Sequence, residues 1–212
     1  MTAASPPRDQ AGQPEALAAV AATLRAAGCV FAEDEARLLI ETAATPADLD
    51  AMVRRRAGGL PLEQVLGWAE FCGRRIVVDS GVFVPRRRTE FLVSQAAAVL
   101  RARCATTPPS TTVVVDLCCG TGAIGAALAA LARPDGRPIE LHATDIDPAA
   151  VRCARKNIDP SCGNVYQGDL FGPLPTRLRG RICVLISNAP YVPTAELTLM
   201  PPEARDHEPS GA

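Results

Sequence analysis

The sequence predicts an α/β fold, a parallel sheet with covering helices, preceded by a small helical domain. Three observations carry this. From Thr112 onward, β-branched runs alternate with Ala-rich helical stretches, the order of strands joined by right-handed crossovers. One of these runs passes straight into a glycine-bearing turn and then a helix. Ahead of Leu60 the apolar residues recur with helical period alone.

Taken in order, residues 1 to 12 read as a frayed tail. A first helix is expected from Glu15 to Ala27 with Gly28 as its stop, and a second from Ala32 to Ala43 with Ala36, Leu39, Ile40 and Ala43 on one face. A third starts at Pro46, capped by Thr45, and ends at Gly58-Gly59. Pro61 to Leu66 suits a helical turn. Phe71, Ile76, Val77, Val78, Val82 and Phe83 then have β character, read as a hairpin turning at Asp79-Ser80-Gly81. Thr89 to Arg101 is expected to be helical, with Phe91, Leu92, Ala96, Val99 and Leu100 on one side, and Thr106 to Thr112 to be a linker. The strands follow at Thr112–Leu117, Ile139–Thr144, Val165–Gln167 and Ile182–Ser187, with helices at Ala123–Ala132 and Pro148–Asn157. The domain boundaries are therefore a tail at 1–12, a helical domain with a hairpin connector at 13–84, a connecting helix and linker at 85–111, and the α/β part at 112–212.

Composition removes several classes. Of 212 residues, 48% are hydrophobic and 4% aromatic, so the core rests on Ala, Val, Leu and Ile. A formal net charge of −1 argues against a stable grip on nucleic acid, which needs a basic face. The basic clusters Arg54-Arg55-Arg56, Arg74-Arg75 and Arg86-Arg87-Arg88 read as solvated faces. None of the 8 cysteines forms a C-x-x-C pair, which favours reduced, structural thiols over a metal site or disulfides. Pro6, Pro7, Arg8 and Asp9 leave no apolar segment for a secretory signal, and no run is long enough to span a bilayer. A cytoplasmic monomer with no membrane partner is expected. His142 and His207 receive no role.

The chemistry begins at Val113-Val114-Val115-Asp116-Leu117-Cys118-Cys119-Gly120-Thr121-Gly122. A buried strand ends in an acid, turns through glycines that allow a ligand close to the backbone, and opens a helix whose amides are free. The next strand delivers Asp145, whose carboxylate can accept ribose hydroxyls. The third delivers Asp169, placed to accept from an adenine amino group while Leu170 packs on the ring. Three acids on successive strand ends make one rim of a Rossmann-like sheet, where nucleosides bind. Each also has a structural reading: Asp116 as a loop anchor, Asp145 as a helix cap (although Asp147 before Pro148 suits that better), and Asp169 as a turn residue. No phosphate-binding lysine follows the glycines, which excludes a P-loop kinase.

After the fourth strand stands Asn188-Ala189-Pro190-Tyr191. An amide side chain, a backbone carbonyl and an aromatic cover form a rigid lip that suits a planar amide or amino group. The four residues are similar to the Asn-Pro-Pro-Tyr signature of methyltransferases acting on planar nitrogen, with Ala189 in place of the first proline. Pro61 to Phe71 and Val84-Pro85-Arg86-Arg87-Arg88-Thr89-Glu90 narrow this to a resemblance to the HemK/PrmC family, the release factor glutamine methyltransferases. That family reads Pro-Arg-Pro-Glu-Thr-Glu here, so Arg87 and Arg88 replace Pro and Glu.

The resemblance implies a class I S-adenosylmethionine-dependent methyltransferase fold and methylation of a glutamine amide nitrogen. Asp116, Cys118, Cys119, Gly120, Thr121, Gly122, Asp145, Asp169, Leu170 and Asn188 would hold S-adenosylmethionine. Asn188, Ala189, Pro190 and Tyr191 would hold the glutamine of a Gly-Gly-Gln loop in a release factor. Cys118 occupies the place of the family's first loop glycine, a departure that an ordinary backbone angle would accommodate. Seven strands are usual and four can be placed, so the chain is expected to be cut short at its C-terminal end. Two competing functions are a nucleic-acid amino methyltransferase and a truncated, non-catalytic paralogue that binds cofactor or a partner.

Overall fold

The computed structural model describes residues 13–106, 111–132 and 139–191, together with Arg205, His207 and Glu208. The expected tail, the centre of the Thr106–Thr112 linker and most of the C-terminal segment lie outside the described residues. The chain divides into two compact units, the first ending at Leu66 and the second starting at Gly67.

The first unit is helical: α1 Gln13–Ala26, α2 Ala32–Thr42, α3 Pro46–Ala57 and the short α4 Leu62–Leu66. Ala21, Leu24, Ala36, Leu39, Met52 and Val65 are buried in it. Thr45 caps α3 as the sequence indicates, its hydroxyl accepting the Asp48 amide at 3.1 Å, with Pro46 in the first turn. A buried ion pair joins α2 to α3. The Arg56 guanidinium donates to Glu35 at 2.6 and 3.1 Å, and a further bond to the Leu60 carbonyl at 3.0 Å serves a third N–H.

The second unit opens with a hairpin, β1 Trp68–Phe71 and β2 Arg74–Val77. Its turn is Cys72-Gly73, and the expectation of a turn at Asp79-Ser80-Gly81 is corrected. Both turn residues have positive φ, 51° and 67°, the backbone of a two-residue hairpin loop whose twist matches the strands. Asp79 to Val82 forms a separate turn, closed by the Val82 amide on the Asp79 carbonyl at 3.2 Å. Next comes α5, Glu90–Thr106. Its buried face is Val93, Ala96, Ala97 and Leu100, while Phe91 and Val99 are exposed, against expectation. The i, i+3, i+4, i+7 set starting at Val93 is the continuous stripe, and Phe91 and Val99 lie off it.

The sheet strands are β3 Thr112–Leu117, β4 Ile139–Asp145, β5 Gly163–Gln167 and β6 Ile182–Ser187, parallel and ordered β5-β4-β3-β6. Helices α6 Ala123–Ala132 and α7 Pro148–Asn157 are the crossovers between β3 and β4 and between β4 and β5. Asp147 caps α7, accepting the Ala149 amide at 2.8 Å, so Asp145 is free of that task. One apolar cluster joins Val93 and Leu100 of α5, Leu128 of α6 and Ala154 of α7 to Val114, Leu141 and Ile186 of the sheet, with Phe71 and Ile76 of the hairpin. The strand order reverses at β3: β4 and β5 extend to one side, β6 lies on the other. Ligands bind at such a switch point, beyond the carboxyl ends of the strands.

Candidate active site

Register places the expected residues along one rim. Leu117 pairs with Thr144 on one side and with Ser187 on the other, and Asp145 pairs with Gln167. The residues that leave these tips, Cys118, Asp145, Gly168 to Leu170 and Asn188, therefore emerge side by side. They open on a cavity of about 620 Å³, a size suited to a small-molecule site. Cys118, Cys119, Gly120, Thr121, Asp145, Asp169, Leu170, Asn188, Ala189, Pro190 and Tyr191 all line it. Asp116 and Gly122, also expected at the cofactor, do not.

Their places explain why. Asp116 is fully buried, and its Oδ2 accepts the Gly125 amide at 2.9 Å, anchoring the first turn of α6 behind the loop. Burial pushes its carboxyl up to about 7, against the lowering effect of that bond and with a further push from the Asp145 charge. Gly122, at φ 74°, lies where a Cβ would meet Ala154 and Ile158 at 3.0 Å, so it lets α6 approach α7. Gly120, at φ 54°, has no protein atom within 4 Å of the Cβ position. Its open side belongs to the cavity.

The loop is tied down from several directions. The Cys119 amide donates to the Thr144 carbonyl at 3.0 Å and the Gly120 amide to Asp145 Oδ2 at 2.8 Å. Asp145 Oδ1 accepts the Asp147 amide at 3.0 Å. A carboxylate offers about four acceptor sites, so two remain for a ligand's hydroxyls. Asn157, at the end of α7, donates to the Thr121 carbonyl at 2.8 Å.

Two residues on this rim hold a left-handed backbone without being glycine, Cys118 at φ 54° and Leu170 at φ 42°. The condition under which Cys118 would be an easy replacement for glycine, an ordinary backbone angle, is not met: the position keeps a glycine's conformation and carries a side chain. Leu170 is held there by Thr144, whose hydroxyl donates to its carbonyl at 3.0 Å, and its side chain stays half exposed. Such strained residues persist where surrounding bonds over-determine them, and they gather at ligand sites. Burial and the neighbouring acids push the Cys118 thiol up, so it remains protonated.

At the other end, Asn188 is half-buried, and its side-chain amide makes no hydrogen bond among the described residues. Tyr191 is exposed and its hydroxyl accepts a bond from the Arg88 guanidinium, which also lies 6.0 Å from the ring centroid. Arg88 and Arg86 both line the cavity, whereas Arg87 is exposed and 4.0 Å from Glu70. Phe71 and Phe83 also line the cavity, yet the sequence shows them only as residues of β character, since Phe71 ends β1 and Phe83 lies in the loop after β2.

The family described as methyltransferase small domain matches residues 74–200, more than half of the chain. A release factor glutamine methyltransferase from Mycolicibacterium smegmatis is 37% identical over 93% of this chain and 72% of its own length. The chain belongs to the release factor glutamine methyltransferase family. A second member, from Streptomyces coelicolor, is 38% identical over 77% of this chain and 56% of its own. A third relative, from Streptomyces pristinaespiralis, is named a 4-amino-L-phenylalanine/4-methylamino-L-phenylalanine methyltransferase and is 36% identical over 74% of this chain and 51% of its own. The chain thus spans about half the length of several curated relatives that it matches. The matched segment of this release factor glutamine methyltransferase family member takes in the whole rim from Cys118 to Tyr191.

Proposed function

We propose that the protein transfers a methyl group from S-adenosylmethionine to the side-chain amide nitrogen of a glutamine, in a release factor or related protein that presents it on a Gly-Gly-Gln loop. The observation that carries this is the opening of both rims, the acidic one at Asp145 and Asp169 and the Asn188-Ala189-Pro190-Tyr191 lip, on a single cavity. The setting of this reaction is the cytoplasm, with the protein acting as a monomer and the helical segment ahead of the hairpin serving as a domain of its own.

The donor set fits the cofactor's chemistry. A nucleoside with ribose hydroxyls, an adenine amino group and positive charges needs acceptors and negative charge, which Asp145 and Asp169 supply at one end of the cavity. Asp145 would take the ribose hydroxyls and Asp169 the adenine amine, with Leu170 against the ring. Cys118 to Thr121 supply backbone, and the open side of Gly120 admits close approach. S-adenosylmethionine, when bound, supplies an electrophilic methyl group on a sulfonium.

A carboxamide nitrogen is a weak nucleophile, so the chain's own work is alignment. The Asn188 side-chain oxygen and the Ala189 carbonyl would accept the two amide hydrogens, and Tyr191 would cover the amide plane. Holding such geometry is worth on the order of 7–11 kcal/mol of barrier. Both acceptors also stabilise positive charge that grows on nitrogen in the transition state. No strong base is required before transfer, since the methylated product sheds its proton readily.

The deciding experiment incubates the purified chain with radiolabelled S-adenosylmethionine and either a release factor or DNA. Label on the release-factor glutamine supports the proposal. Label on DNA alone overturns it in favour of a nucleic-acid enzyme. Tight cofactor binding without transfer to either would indicate a non-catalytic paralogue.

A further inference from the structure

The charged residues of the cavity are segregated. Asp145, Asp147 and Asp169 leave the β4 and β5 tips, Arg88 stands beside Tyr191 on the segment that leaves the β6 tip, and Arg86 also lines the cavity. The two arginines differ in what they meet. Arg86 donates to Glu208 at 2.5 Å, a carboxylate whose side chain is only 3% exposed, and lies 5.3 Å from the Phe83 ring centroid. Its charge is answered. Arg88 meets no carboxylate within ion-pair distance among the described residues. Its one hydrogen bond goes to the Tyr191 hydroxyl.

A guanidinium carries five N–H donors in a planar fork, so four remain after the bond to Tyr191. That fork matches a carboxylate in two-point contact, and a neutral hydroxyl leaves the positive charge uncompensated. Tyr191 belongs to the lip that would hold the acceptor amide. An anion seated on Arg88 therefore sits within a side chain's reach of the nitrogen to be methylated. The acids at the β4 and β5 tips, across β3 from the lip, would repel the same anion, which orients it in the cavity.

We infer that Arg88 is a specificity residue that binds a carboxylate carried by the methyl acceptor, close to its planar nitrogen group. The inference rests on the proposed lip, and it names the class of acceptor that the lip takes: an amide or amine with an acidic group nearby. The carboxylate comes either from a residue flanking the acceptor in a peptide or from a free amino acid's own α-carboxylate.

Binding can be measured apart from turnover, by calorimetry with four capped compounds. Acetyl-Gly-Gln-Glu-amide and acetyl-Gly-Gln-Ala-amide test the peptide source, and acetyl-L-glutamine and acetyl-L-glutaminamide test a single amino acid's own α-carboxylate. In the wild-type chain the acidic member of at least one pair should bind tenfold or more tightly than its neutral partner. Arg88→Ala should abolish that ratio, Arg88→Lys should keep part of it and Arg88→Glu should invert it, while affinity for S-adenosylmethionine stays within twofold. Equal binding of acidic and neutral members, an Arg88→Ala ratio like that of the wild type, or no binding of any of the four overturns the inference. A clear acidic preference without methyl transfer would leave the Arg88 site standing and count against the glutamine reading instead.

Discussion

Asn157 holds Val77 from both sides: its Oδ1 accepts the Val77 amide at 2.8 Å and its Nδ2 donates to the Val77 carbonyl at 2.9 Å. The second Nδ2 hydrogen goes to the Thr121 carbonyl of the cavity loop at 2.8 Å. One side chain at the end of α7 thus ties the hairpin exit to the cavity loop. Cys153 and Lys156, one turn and one residue before it, reinforce the seam through the Val77 carbonyl and Asp79.

Removing that side chain strands the Val77 amide, leaves the Val77 carbonyl only the Cys153 thiol, and frees the Thr121 carbonyl of the loop. Asn157→Ala should cost roughly 2–4 kcal/mol of stability, as expected when partly buried polar groups lose their partners. It should also weaken cofactor affinity although Asn157 does not line the cavity. Urea unfolding reads the first effect and calorimetry the second. A variant as stable as the wild type would show that the seam contributes nothing.

Cys118 stands in a conformation that glycine adopts without penalty. Replacing it with glycine removes a Cβ clash worth about 1 kcal/mol, set against the loss of the thiol beside Ser187. Cys118→Gly should move the urea midpoint upward with an unchanged slope. A lower midpoint would mean that the thiol contact outweighs the backbone strain.

Asn188 and Asp145 should separate in their effects. Asn188→Ala should abolish methyl transfer, a loss of at least a hundredfold, and leave S-adenosylmethionine binding measurable. Asp145→Ala should weaken cofactor binding at least tenfold, since it removes both the ligand acceptors and the Gly120 anchor. Parallel calorimetry and transfer assays distinguish the two. Unchanged turnover in Asn188→Ala would defeat the lip's assignment.

The elements that were legible from residues alone are those bounded by local chemistry. Pro148 after a capping Asp147 marks the start of α7. A continuous β-branched run marks β3, because a strand buried on both faces needs no alternation, and an apolar run marks β6. The rim acids were legible for the same reason: each leaves a strand tip. What escaped depends on contacts far apart in the chain. Asn157 reads as the solvated end of a helix until Val77, 80 residues earlier, is brought to it. The hairpin turn was misplaced because Asp-Ser-Gly is a strong turn signal, yet Cys72-Gly73 sets the register. Arg88 was visible only within a basic cluster that reads as a solvated face and as a departure from a family pattern, and its meaning came from the cavity it lines.

Asp116 makes stability depend on pH in a direction opposite to that of a salt-bridged carboxylate. Its side chain is fully buried, and Oδ1 has no hydrogen-bond partner among the described residues. Burial first, and the Asp145 charge with it, raise the folded carboxyl from 3.8 to about 7. Below the lower value both folded and unfolded chains are protonated. Between the two values the folded chain keeps a proton that the unfolded chain has released, so raising the pH favours unfolding. Above the upper value both are ionised and the penalty is constant. Each pH unit inside the window should cost up to about 1.4 kcal/mol. Asp116→Asn keeps an acceptor for Gly125 and removes the titration. The unfolding free energy of the variant should therefore gain on the wild type as the pH rises from about 4 to about 7, then run parallel to it. Taking the difference between the two curves cancels the titrating groups that do not interact with Asp116, and a difference that stays flat across that window would place the Asp116 carboxyl in its ordinary range.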